Sequence, residues 1–187
     1  MKPSLLTNLR RWLGGSSSEG SGQLSEEWQD TRTRAEKGEA EAQFDVGIGY
    51  VNGSIGTVDH TEAVKWLLKA AEQDMPEAQL AIGAHYHRGK GLPVNEPLAT
   101  QWYRKAAEQG NRAAAFNLAY CYEVGEGVAK DVVEAFAWYG LWLKADSDPE
   151  AVAACADLAK RMTAEQMAAA KQRVEELRTH ISATLRK

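Results

Sequence analysis

The sequence predicts an all-α fold of stacked antiparallel helix pairs, an α-solenoid, and three observations lead there. Shifted by 36 residues, the chain falls on itself: Ala42, Ala78 and Ala114 coincide, as do Tyr50, Tyr86 and Tyr122, and Trp66, Trp102 and Trp138. The phrase KAAEQ recurs at residues 69–73 and 105–109. Glycines recur in the same phase, at Gly53, Gly89 and Gly125, and each ends a run with helical spacing where glycine can take the left-handed conformation.

The elements follow in order. Residues 1–22 form a tail. Within it, 4–13 read as a short amphipathic helix with Leu5, Leu6, Leu9, Trp12 and Leu13 on one face and Lys2, Arg10 and Arg11 among the polar positions. GGSSSEGSG at 14–22 is a flexible linker. Thr7, Asn8, Arg10 and Arg11 interrupt the apolar stretch an export signal requires, so none is read. Residues 23–38 are a degenerate leading helix, because Glu36-Lys37-Gly38 stands two periods before Glu108-Gln109-Gly110. Three repeats occupy 39–74, 75–110 and 111–146. In each, a first helix opens near Glu39, Pro76 or Asn111, a Gly-rich turn follows (GSIG, GKGLP, GEG), and a second helix starts after Asp59, Asn95 or Asp131. Those side chains accept from free N–H groups of the first turn. Residues 147–187 form a helical cap: an Ala-rich helix over 149–162, then one started by a Thr163/Gln166 capping box and carrying Met167, Ala170, Val174 and Leu177 to about Ile181.

The repeated residue types have a packing reason. Ala42, Gly47, Ala78, Gly83, Ala114 and Ala119 let helices approach closely, and the aromatic positions fill the space between units. One helix pair cannot cover its own apolar face, so the units stack.

Composition removes several function classes. With 26 acidic and 22 basic side chains the net charge is −4, which argues against nucleic acid, whose binding needs a basic surface to displace counterions. No apolar run is long enough to span a membrane. Two cysteines make no disulfide framework and favour a reducing, cytoplasmic compartment.

Candidate chemistry is thin. His85 and His87, two apart on a helix, point to different sides and make poor co-ligands, and His60 and His180 are distant in sequence. Cys121 and Cys155 lack a neighbouring base and read as small buried hydrophobes. The Gly-rich turns lack the Gly-Lys-Ser/Thr phrase of a phosphate loop. No cofactor or metal is expected, and the chain reads as a non-enzyme.

The pattern resembles the Sel1-like repeat, a relative of the tetratricopeptide repeat, on the strength of Ala78, Gln79, Ile82, Gly83, Tyr86, Gly89, Gly91, Ala99, Trp102, Tyr103, Ala106, Ala107 and Gly110. The first repeat departs at Gly56, one residue out of phase, and the third carries Ala119 and loses the closing KAAEQG. The resemblance spans about residues 35–180 and implies a bacterial protein, a right-handed solenoid, and an adaptor or scaffold role without catalytic residues. Secreted, cysteine-rich members with β-lactam binding stand as the alternative, although a cysteine pair in every repeat is missing here.

A protein segment is the expected partner, a peptide or helix in a concave groove lined by the first helices. Positions varying between repeats are the candidate contacts: Phe44, Asp45, Ile48 and Asn52; Leu80, His85 and Arg88; Phe116, Asn117, Tyr120 and Val124. Asn117 stands out, because an amide holds a peptide backbone from both donor and acceptor sides. The tail residues Leu5, Leu6, Leu9, Trp12 and Leu13 suit docking to a partner's groove, the inner membrane face through 4–13, or the chain's own groove.

Overall fold

The structure is a computed structural model that describes residues 26–143 and 149–186. The tail, with its expected helix over 4–13, lies outside the described residues, as do residues 144–148 at the end of the third repeat. Among the described residues all regular structure is α-helical, the α-solenoid class that the repeats predict. The helices fall into two units divided between Asn95 and Glu96, inside the second repeat.

The first unit holds α1 (Glu26–Glu36), α2 (Ala40–Asn52), α3 (His60–Glu72) and α4 (Pro76–Arg88), each packed on the next. Local chemistry sets the ends. Glycines 53 and 89 close α2 and α4 at φ of 78° and 66°, a region that favours a residue without Cβ. Asp59 caps α3 by accepting from the N–H groups of Thr61 and Glu62 at 2.9 and 3.0 Å. The Asp59 N–H donates to the Tyr50 carbonyl and the Asn95 N–H to the Tyr86 carbonyl, both at 3.0 Å, so the two turns close alike despite different glycine spacing. Asp74 stands where the neighbouring repeats use glycine and takes φ of 61°, while its Oδ1 accepts from Gln79 Nε2 at 3.3 Å.

Two buried glutamines tie helix to helix. Gln43 Nε2 donates to the Ala35 carbonyl at 3.1 Å, and Gln79 Nε2 to the Ala71 carbonyl at 3.3 Å. Each amide satisfies a carbonyl near the end of the preceding helix, where intrahelical partners run out.

The second unit holds α5 (Glu96–Glu108), α6 (Arg112–Val124), α7 (Val132–Gly140), α8 (Pro149–Ala159) and α9 (Ala164–Thr184). Helix α6 packs between α5 and α7, while α8 and α9 both pack on α7. Asn111 and Asp131 cap α6 and α7. Both halves of the Thr163/Gln166 capping box form, at 2.9 and 3.2 Å. Ala170, Val174, Leu177 and Ile181 make the buried line of α9, with Met167 half-buried. Helix α9 runs three residues past the expected end.

Packing explains the invariant positions. The alanines at 42, 63, 78, 99, 114 and 135 are all 0% exposed, so a larger side chain has no room at any of them. The tryptophans differ from the expectation of a shared core role. Trp138 is buried, and its Nε1 donates to Glu134 at 3.1 Å, while Glu134 accepts from Arg173 of α9 at 2.6 Å. Trp66 and Trp102 stay half-buried, with the ammonium groups of Lys69 and Lys105 at 4.2 and 4.4 Å from their ring centroids.

Candidate functional site

In the first unit, helices α1 and α2 leave a cleft of about 300 Å³ lined by Trp28, Thr31, Phe44, Asp45, Ile48, Gly49, Asn52 and Ser54. All four α2 residues expected at a partner surface therefore share one cavity. Residues 44, 45, 48 and 52 stand within about two helical turns and so face one side. Phe44 is 4% exposed, which makes it floor rather than rim, whereas Asp45 is exposed and Ile48 and Asn52 are half-buried. Asn52 Oδ1 accepts from the Ser54 N–H at 2.9 Å and from its hydroxyl, which ties the helix end to the turn. Gly49 is needed here: a Cβ would stand 2.9 Å from Ile55 Cγ2 and 3.1 Å from the Trp28 ring.

The α1 wall was not anticipated. Trp28 and Thr31 come from the degenerate leading helix, to which no partner contact was assigned. A signal was present, since Trp28 is the lone aromatic in the otherwise polar EEWQDTRTRAE.

Cleft electrostatics centre on Asp45. Among the described residues no hydrogen bond or ion pair engages its carboxylate. Desolvation by the cleft raises its pKa above the ordinary value; the Arg34 cation opposes the rise and the Glu41 carboxylate adds to it. Arg34 is itself engaged, with Nε 2.8 Å from Glu39 and Nη1 3.9 Å from Asp30.

On α4, Leu80 and Arg88 are half-buried, but His85 is only 7% exposed. Its Nδ1–H donates to the Lys90 carbonyl at 2.7 Å, so this ring latches the turn instead of facing a partner. The correction has a simple cause: the turn after Gly89 folds back over position 85. The structure also brings together two histidines distant in sequence. The His60 and His85 rings meet edge to face with centroids 5.7 Å apart. Burial lowers the pKa of both; a backbone hydrogen bond to Lys90 opposes the shift at His85, and the Lys90 cation adds to the shift at each. His60 Nδ1 is buried without a hydrogen-bond partner. No third ligand joins the pair: among the described residues no group of three or more His, Cys, Asp or Glu can hold a metal.

In the second unit, α6 presents Asn117 and Tyr120 half-buried and Val124 42% exposed. Phe116 is partly spent on packing, edge to face with Tyr139 at 5.0 Å. Beside them, Glu123 accepts from Arg161 at 2.7 Å and from the Tyr139 hydroxyl at 3.4 Å. Cys121 and Cys155 are free and buried, and burial pushes their thiols up to about 11 and about 12, so both are protonated at neutral pH. A protonated, enclosed thiol is no nucleophile.

Gly-turned helix pairs whose small invariant residues are consumed by packing, and several of whose varying residues reach the surface, define a helical-repeat protein of the tetratricopeptide-like class. The chain belongs to the Sel1 repeat family, which it matches at residues 40–75, 76–111 and 112–147. Members generally act as protein-interaction scaffolds and not as catalysts. No curated protein matches the sequence. Among solved structures, a protective antigen of uropathogenic Escherichia coli with an SLR fold is 28% identical with a TM-score of 0.78, over 95% of this chain and 38% of that one. This chain thus spans little more than a third of the antigen's length. A Sel1 repeat protein from Oxalobacter formigenes is 36% identical with a TM-score of 0.63, over 70% of this chain and 98% of that one. Cysteine-rich protein B of Helicobacter pylori, 18% identical with a TM-score of 0.52 over 76% of this chain and 100% of that one, shares the fold. No helix among the described residues is long and apolar enough to cross a membrane.

Proposed function

We propose that this chain is a non-catalytic adaptor that binds a segment of another protein through the first helices of its repeats. The observation that carries the reading is where the differences between repeats fall. The invariant alanines are 0% exposed, whereas Asp45, Ile48 and Asn52 on α2, and separately Asn117, Tyr120 and Val124 on α6, keep accessible surface. Side chains that differ from repeat to repeat and still reach solvent can select a partner without disturbing the stack. Residues 4–13, with Arg10 and Arg11 set among leucines, serve as the localising element in the cytoplasm.

Affinity capture followed by mass spectrometry tests this, using the intact chain, an Asn117→Ala/Tyr120→Ala variant and an Arg10→Gln/Arg11→Gln variant. The expected result is a protein held by the intact chain and the tail variant and released by the α6 variant. A partner lost only with the tail variant moves binding to residues 4–13. No enrichment by the intact chain refutes the adaptor reading.

A further inference from the structure

The cleft between α1 and α2 has a composition that narrows what it can hold. Its one formal charge is the Asp45 carboxylate, which no described cation pairs. Arg34, whose field does reach Asp45, is held by Glu39 and Asp30. Around the carboxylate stand the apolar surfaces of Trp28, Phe44 and Ile48, and at the rim the polar groups of Thr31, Asn52 and Ser54. At about 300 Å³ the space matches the small end of ligand pockets, room for one long side chain and a neighbour rather than a folded element.

An anion is excluded by repulsion from Asp45, and a divalent cation by the lack of further charged ligands. A purely apolar side chain would leave the carboxylate covered and unpaired, which is costly. A long cationic side chain meets every demand. Its methylene stem lies on Ile48 over Phe44, and its charged head reaches Asp45. Because Asn52 Oδ1 is taken by Ser54, its Nδ2 amine is left to donate to a backbone carbonyl of the incoming segment.

We infer that the α1–α2 cleft receives an arginine or lysine side chain, presented next to an apolar residue by a protein segment. This rests on the adaptor reading and names the chemistry of one of its sites. The occupant is a separate protein that carries this cation, its charge complementary to Asp45.

The test is selection from a random peptide library on the intact chain, followed by fluorescence anisotropy with the selected peptides. The expected result is that they share an arginine or lysine beside an apolar residue. Asp45→Asn then weakens them roughly tenfold or more, the loss expected for a charge-assisted hydrogen bond. Replacing the peptide's basic residue by glutamine produces the same loss, and the two changes together are no worse than either alone. Asp45 is exposed, so its variant folds, which circular dichroism verifies. Selected peptides that lack a basic residue, or that bind Asp45→Asn within twofold of the parent, overturn the inference and leave the adaptor reading standing. A library that yields nothing overturns both. An Arg10→Gln/Arg11→Gln chain is expected to bind the peptides unchanged; tighter binding marks the chain's own tail as the occupant and overturns the assignment to a separate partner.

Discussion

Replacing Gly127 by alanine tests how closely the repeats are stacked in the second unit. Gly127 stands at φ of 70° in the turn after α6 and lies against the start of α5, in the preceding helix pair. An added Cβ would collide with the Glu96 carbonyl and stand 2.7 Å from Thr100 Oγ1. Three costs then combine. The left-handed conformation is worth about 1–2 kcal/mol against alanine. Backbone cannot swing aside as a flexible side chain does, so overpacking adds about 1–3 kcal/mol. The Thr100 hydroxyl, which donates to the Glu126 carbonyl at 3.1 Å, loses its alignment at about 1 kcal/mol. The expected loss is roughly 3–6 kcal/mol, a large share of a domain's usual stability. Gly38→Ala supplies the control, for Gly38 has φ of 98° with no atom within 4 Å of its absent Cβ and carries the conformational cost alone. Thermal unfolding followed by circular dichroism should place Gly127→Ala below Gly38→Ala by about 4 °C or more. Equal melting temperatures would refute the close-approach argument and with it the account of why the second turn glycine is needed.

Further outcomes are expected. Gln79→Ala leaves the Ala71 carbonyl without its side-chain donor and opens a small cavity, costing about 1–3 kcal/mol in urea denaturation, whereas Glu77→Ala on the same turn stays within about 0.5 kcal/mol. Neither cysteine should react with a thiol reagent at pH 8 in the native protein, and both should react after unfolding; a fast native phase would contradict their burial and raised pKa values. His85 has a folded-state pKa below its unfolded value of about 6.5, so the unfolded chain takes up the proton more readily. Its contribution is complete above that value and is lost as pH falls from it toward the folded pKa. His85→Gln should therefore flatten the fall in melting temperature between pH 7.5 and 5. Binding of basic peptides should weaken as pH drops through the Asp45 titration, which desolvation shifts upward, and an acid limb unchanged in Asp45→Asn would count against that residue.

Much of the fold was legible because each repeat states its rule more than once. Ala42, Ala78 and Ala114 recur because one packing geometry excludes every larger side chain, and Gly53, Gly89 and Gly125 because each first helix stops in the same left-handed turn. Gly56 broke the phase, and the structure gives the reason: Gly91 and Gly127 each press on the start of an earlier helix, at His60 and Glu96, while nothing lies within 4 Å of a Cβ at Gly56. The site was less legible. Residues 44, 45, 48 and 52 could be grouped because helical spacing puts them on one face, but the opposite wall comes from Trp28 and Thr31, in a helix outside the repeat pattern.

By itself, then, the sequence determined the helix pairs, their caps and turns, and the small residues at their contacts, since all of these follow from interactions within a few positions or within one period. Only the tertiary structure decided which varying side chains are spent on packing. Position 85 varies between repeats as position 45 does, yet a folded-back turn buries His85 on the Lys90 carbonyl while Asp45 faces a cleft with its carboxylate paired by no described residue. Exposure depends on what the chain brings from elsewhere, and no local pattern carries that.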